Sequence, residues 1–105
     1  MDWTESVIAE TTGRRTSIFR PPYGILDNQT TAEAIRRGMA VFLWTISSAD
    51  TKKIGADAIA SNVINTPNPG DIVLMHDGAG HGDTAVAVEK ILSKLSASGY
   101  TFVTL

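Results

Sequence analysis

The chain has 105 residues, a formal net charge of −2 and an apolar fraction of 43%, which fits one ordinary globular domain. Its nine Lys and Arg residues are scattered, which argues against nucleic acid as a partner, and no apolar run approaches the ~20 residues of a membrane helix. With no cysteine, disulfides and thiolate metal sites are excluded and the compartment stays open; the acidic Met1-Asp2-Trp3-Thr4-Glu5 stretch does not read as a basic secretory leader.

In chain order the pattern alternates helix and strand. Asp2 and Glu5 read as a capping box for a first helix that stops at Gly13. Ile18-Phe19-Arg20 is a short strand ended by Pro21-Pro22. Thr30-Thr31-Ala32-Glu33 reads as a capping box opening a helix to Arg37, closed by Gly38. Val41-Phe42-Leu43-Trp44 is a continuous apolar strand, as expected where both faces are buried. Ile54 to Ile64 is helical, Asn65 to Gly70 a turn, and Ile72 to Met75 the next buried strand. Asp83 to Ala97 is a helix with Val88, Ile91, Leu92 and Leu95 in one stripe, and Thr101 to Thr104 a last strand. The expectation is an α/β fold in which residues 1–105 form a single domain. Its roughly four parallel strands alternate with helices, about half of a barrel that typically needs ~250 residues. Half a barrel leaves strand edges and an apolar face open, which favours a homo-oligomer such as a dimer.

A parallel α/β sheet gathers strand-end residues at one rim, where ligands bind. His76 follows the apolar run Ile72 to Met75 and suits a general acid or base; the plainer alternative is a loop histidine bonded to backbone. Asp50 lies just past the Trp44 strand on the same rim. A carboxylate set against an imidazole fixes its tautomer and favours its charged form, while a helix-cap role is the plainer alternative for Asp50. Arg20 can hold a carboxylate bidentately, or make a surface salt bridge. The stiff Pro21-Pro22-Tyr23-Gly24 turn after it fixes Tyr23 and its backbone N–H in one place. His81, between Gly80 and Gly82, reads first as a solvated loop residue; the other reading is a metal set with His76 and Asp77 or Asp83. Trp3 and Trp44 read as core or interface residues.

Several segments together resemble the polysaccharide deacetylases, the NodB-homology domain of carbohydrate esterase family four. Arg20-Pro21-Pro22-Tyr23-Gly24 is similar to the family's third motif, Trp44 to Asp50 to part of its fourth, and Leu74-Met75-His76 to its fifth. The resemblance extends to Gly13 through Arg20, Gly70 through Leu74 and Gly99 through Val103. It implies a distorted (β/α) barrel with a groove for a sugar polymer. It also implies removal of acetyl groups from N-acetylglucosamine polymers, peptidoglycan or xylan, with a divalent metal, usually zinc, holding the attacking water. By the same resemblance His76 is the general acid, Asp50 tunes it, and Arg20 orients the base aspartate. The Tyr23 N–H helps hold the oxyanion, Leu74 lines the acetyl pocket, and members are often secreted or bound to the cell envelope.

The family's first motif, Thr-Phe-Asp-Asp-Gly, and its second, His-x-x-x-His, have no counterpart here; His76 and His81 are the two histidines. Ser47 stands where the fourth motif usually has aspartate, and Thr51 where it usually has tryptophan. The chain therefore reads as the C-terminal portion of a deacetylase-type domain without its metal ligands and base. Two other readings stay open. One is a metal-dependent esterase or phosphoesterase for small substrates such as acetyl esters, its site built at a homodimer interface from His76, His81, Asp50 and Asp77. The other is a saccharide-binding or assembly module in which Tyr23 and Trp44 stack on sugar rings.

Overall fold

A computed structural model describes all of residues 1–105. The chain divides into two compact units, Met1–Leu43 and Trp44–Leu105.

In the first unit, helix α1 (Asp2–Thr12) carries Asp2 and Glu5 in its first turn, where negative charge suits the helix dipole. It stops at Gly13, whose left-handed φ of 70° lets its N–H reach the Ala9 carbonyl. Strand β1 (Ile18–Phe19) pairs in parallel with β2 (Ala40–Val41), Ile18 opposite Ala40 and Phe19 opposite Val41. Between them lie a 3-10 turn at Pro22–Gly24 and helix α2 (Asn28–Arg36). Asp27, rather than a capping box at Thr30, starts α2: its carboxylate accepts the Thr30 N–H at 2.8 Å and so takes the orphan donor first. Ala34, Met39 and Pro21 are the buried apolar residues of this unit. Arg37, just past α2, ties the two helices by bonding Asp2 and Glu5 of α1 and Glu33 of α2.

In the second unit, β3 (Ile46–Ser47) pairs in parallel with β4 (Val73–Leu74), Ile46 opposite Val73 and Ser47 opposite Leu74. Helix α3 (Ala56–Ile64) connects them, and α4 (Gly82–Ala97) follows β4. Helix α3 starts two residues later than the sequence pattern suggests, because Lys53 (φ 53°) and Gly55 (φ 85°) hold left-handed backbone that cannot join a right-handed helix. Ile59, Ala60 and Val63 of α3 interlock with Ala87, Ile91 and Leu95 of α4 to form the core. Ile59 and Val63 are fully buried, and burial of such a side chain contributes about 1.5–3 kcal/mol. Lys90 and Asp57 pair across the exposed side of the same two helices.

The strand pattern departs from expectation in two places. The apolar run Val41–Trp44 is not one strand. The Phe42 N–H still reaches the Phe19 carbonyl at 2.9 Å and the Thr45 N–H already reaches the Ile72 carbonyl at 2.9 Å, so Leu43 and Trp44 pass from the β1 ladder to the β4 ladder, where the Thr45 hydroxyl also bonds Asp71 at 2.7 Å. The expected strand at 101–104 does not form, since local β-propensity cannot supply a partner ladder. The strands thus make two pairs rather than one four-stranded sheet. Phe102, Val103 and Leu105 stay exposed. With Met75, Val88 and Leu92 they line an open, largely apolar groove of about 940 Å³.

Candidate functional site

Parallel pairing of β3 and β4 carries their C-terminal ends to one rim of the second unit. Past β3 the chain turns sharply: Ala49 adopts φ 57°, ψ 26°, a left-handed conformation that costs a residue with a Cβ about 1–2 kcal/mol. Buried Ser48 anchors the turn on both sides. Its carbonyl accepts from the Asn62 side chain of α3 at 3.0 Å, and its hydroxyl accepts the Asp50 N–H at 3.4 Å. The turn delivers the Asp50 carboxylate into the protein with 2% of its side chain exposed.

That carboxylate is fully engaged. Oδ2 accepts the His76 backbone N–H at 2.6 Å and the Thr84 hydroxyl of α4 at 3.1 Å. Oδ1 lies 2.9 Å from His76 Nδ1. Burial pushes the Asp50 pKa up, but the bonds from the His76 ring, the His76 N–H and Thr84 outweigh it and hold the carboxyl below its ordinary value. Asp50 is therefore the ionised acceptor, Nδ1 of His76 is the donor, and Nε2 of His76 is left free. The His76 side chain is 43% exposed, so Nε2 can meet an incoming substrate. A buried carboxylate, an oriented imidazole and an open ring nitrogen make a unit that can hold and deliver a proton.

The structure thus joins Asp50 with His76, as the sequence suggested, and adds His81, whose ring stacks on His76 with centroids 5.8 Å apart. Leu74 lies in β4 and Trp44 just before β3, both half-buried. Arg20 and Tyr23 lie in the first unit, just past β1. Arg20 is exposed, and Tyr23 is 93% exposed at a left-handed φ of 57°. Asp77 is exposed in the loop after His76.

No group of three or more histidine, aspartate or glutamate side chains is placed to hold a metal ion. The set of His76, His81 and Asp77 considered from sequence is not assembled as one, and the Asp50 oxygens beside it are already engaged by His76 and Thr84. The residues present here do not fit a zinc site by themselves. Sequence reasoning missed Thr84, which reads as an ordinary helix-start residue, and the stacking of His81.

No family model matches the chain. It is 35% identical to a peptidoglycan-N-acetylglucosamine deacetylase of Bacillus cereus, over 97% of this chain and 38% of that protein. It is 33% identical to the peptidoglycan-N-acetylglucosamine deacetylase PgdA of Listeria monocytogenes, over 97% of this chain and 21% of that protein. The crystal structure of the Bc1960 peptidoglycan N-acetylglucosamine deacetylase superposes with a TM-score of 0.90 at 31% identity, covering 97% of this chain and 49% of that one. BA3943, a CE4 family pseudoenzyme from Bacillus anthracis, superposes at 0.85 with 28% identity, covering 95% of this chain and 34% of that one. The chain thus spans less than half the length of each of these proteins. Along nearly its whole length, its homologues are peptidoglycan N-acetylglucosamine deacetylases and other members of carbohydrate esterase family four, of which it matches the C-terminal portion.

Proposed function

We propose that this chain is the acid-bearing portion of a polysaccharide deacetylase domain, with His76 as general acid and Asp50 as the carboxylate that holds it. The observation that carries this reading is the double grip of Asp50 on His76, at the backbone N–H and at Nδ1. In amide or ester cleavage the bond from the acetyl carbon to nitrogen or oxygen breaks, and the leaving atom must gain a proton. His76 Nε2, on a side chain that is 43% exposed, has no partner within the chain and can give that proton, while ionised Asp50 stabilises the charged ring before transfer. Thr84 keeps Asp50 oriented through the same cycle. The substrate class is an acetylated polysaccharide, as the names of the relatives suggest.

Arg20 would orient the base aspartate, the Tyr23 N–H would contact the oxyanion, and Leu74 would line the acetyl pocket; Trp44 would border the groove. The base and the divalent metal, taken to be zinc, would be held by residues this chain does not carry. The parent family is often secreted or bound to the cell envelope, and that setting suits a peptidoglycan substrate. The test is acetate release from acetylated chito-oligosaccharide, with and without zinc, by this chain combined with the base- and metal-bearing portion of a relative. Release abolished by His76→Ala supports the general-acid role; release untouched by it overturns that role.

A second reading has one observation in its favour. The open apolar groove beside α4 is the kind of surface that invites association. The chain would then act as an assembly or saccharide-binding module, or as a homodimer with a site rebuilt from His76, His81, Asp50 and Asp77. Release of acetate by the isolated chain with zinc, lost on dilution, would favour the dimer.

A further inference from the structure

His81 has an ordered place in the site. Its side chain is 25% exposed, and its ring lies 24° from parallel to that of His76, with centroids 5.8 Å apart. Its Nδ1 is 4.0 Å from Asp50 Oδ2, beyond hydrogen-bond reach, and that oxygen already accepts from His76 and Thr84. The stack, not a bond to Asp50, is therefore the contact that His81 makes.

Its backbone explains how it is held there. Gly78 (φ 96°) and Gly80 (φ 87°) turn the loop back on itself, in conformations that a residue with a Cβ resists. The His81 N–H then donates to the Gly78 carbonyl at 3.4 Å. The His81 carbonyl accepts from Thr84 N–H at 3.1 Å and Ala85 N–H at 3.4 Å, opening α4. One helix start thus carries the Thr84 hydroxyl to the Asp50 carboxylate and the His81 ring to the face of His76. With Nδ1 fixed by Asp50 and a second ring stacked beside it, the His76 ring resists tilting, and Nε2 keeps one direction.

We propose that His81 is a positioning residue for His76: its stacked ring holds the imidazole in the plane in which Nδ1 meets Asp50 and Nε2 points outward. This rests on the reading of His76 as the general acid.

The test is nuclear magnetic resonance of the ¹⁵N-labelled chain, which needs no turnover. In the unmodified protein, ring protons of His76 and His81 should show a mutual nuclear Overhauser effect; its absence overturns the proposal, whatever the variants do. His81→Ala should loosen the His76 ring, averaging its two nitrogen signals toward a mixture of tautomers. His81→Phe, which keeps a stacking ring without nitrogen, should restore the unmodified pattern. A His76 pattern unchanged in His81→Ala, or disrupted as fully by Phe as by Ala, overturns the proposal. Methyl signals of Ile59 and Val63 report whether each variant is folded. Asp50→Asn should break the His76 pattern whether or not His81 matters, so failure of the stack leaves the general-acid reading standing.

Discussion

Asp50 holds His76 at two points 26 residues away in sequence, accepting the backbone N–H at 2.6 Å and lying 2.9 Å from Nδ1. The backbone bond fixes where the residue sits, and the ring bond fixes which nitrogen faces out. Asp50→Asn keeps an acceptor for one of these bonds but loses the charge. It should lower stability by about 1–3 kcal/mol, the usual cost of an impaired buried polar network. Chemical denaturation of the two proteins checks this.

The same pair makes a pH prediction with a definite sign. Asp50 has a folded pKa below its unfolded value of 3.8. Its contribution is therefore fully present above about pH 4 and is lost as the pH falls through the lower, folded value. Stability of the unmodified chain should drop more steeply below about pH 4 than that of Asp50→Asn. Parallel curves for the two proteins would remove Asp50 from the acid response.

Ala49 carries the strain that aims Asp50. Ala49→Gly relieves the left-handed φ of 57° and should leave stability unchanged or raise it by up to about 1 kcal/mol, since glycine adopts that backbone freely but loses more entropy on folding. Ala49→Val should destabilise by at least about 1 kcal/mol, because a branched Cβ suits that region worst. Denaturation midpoints of the three proteins decide it.

Arg37 anchors the first unit. It bonds Asp2, Glu5 and Glu33, and Glu33 is held down to about 2 by hydrogen bonds from Arg36 and then Arg37. Because that folded value lies below the unfolded 4.5, the Glu33 contribution is complete above the unfolded value and disappears as pH falls toward 2. Arg37→Ala should release α1, and salt should weaken the same link in the unmodified protein, since screening shortens to about 3 Å at 1 M. Amide hydrogen exchange along Asp2–Thr12 reports both effects.

The second-unit core should behave as an ordinary packed core. Ile59→Ala removes a fully buried side chain and should cost about 2–5 kcal/mol. Val86→Ala, at an exposed position of α4, should change stability by less than about 0.5 kcal/mol. Thermal or denaturant unfolding compares them directly.

The helices were legible in the sequence from their periodicity, but the face was only half legible: in α4 the buried residues are Thr84, Ala87, Ile91 and Leu95, while Leu92 of the expected Val88–Leu95 stripe is exposed. Strands were less so. A two-residue strand such as Ile46–Ser47 exists only through its partner Val73–Leu74, and nothing local separates it from the apolar run before it. The segment 101–104 has strand composition without a partner. Asp50 and His76 were legible as strand-end residues. Thr84 and His81 were not, because they reach Asp50 and His76 only once α4 packs against α3. The left-handed turn at Ala49 left no sign, since alanine is not a residue that announces one.

The measurement closest to the central claim is the ¹⁵N spectrum of the His76 ring at a pH where it is neutral. The account expects the proton on Nδ1, bonded to Asp50, with Nε2 unprotonated and open to a substrate. A proton on Nε2, or a ring averaging freely between tautomers, would contradict it.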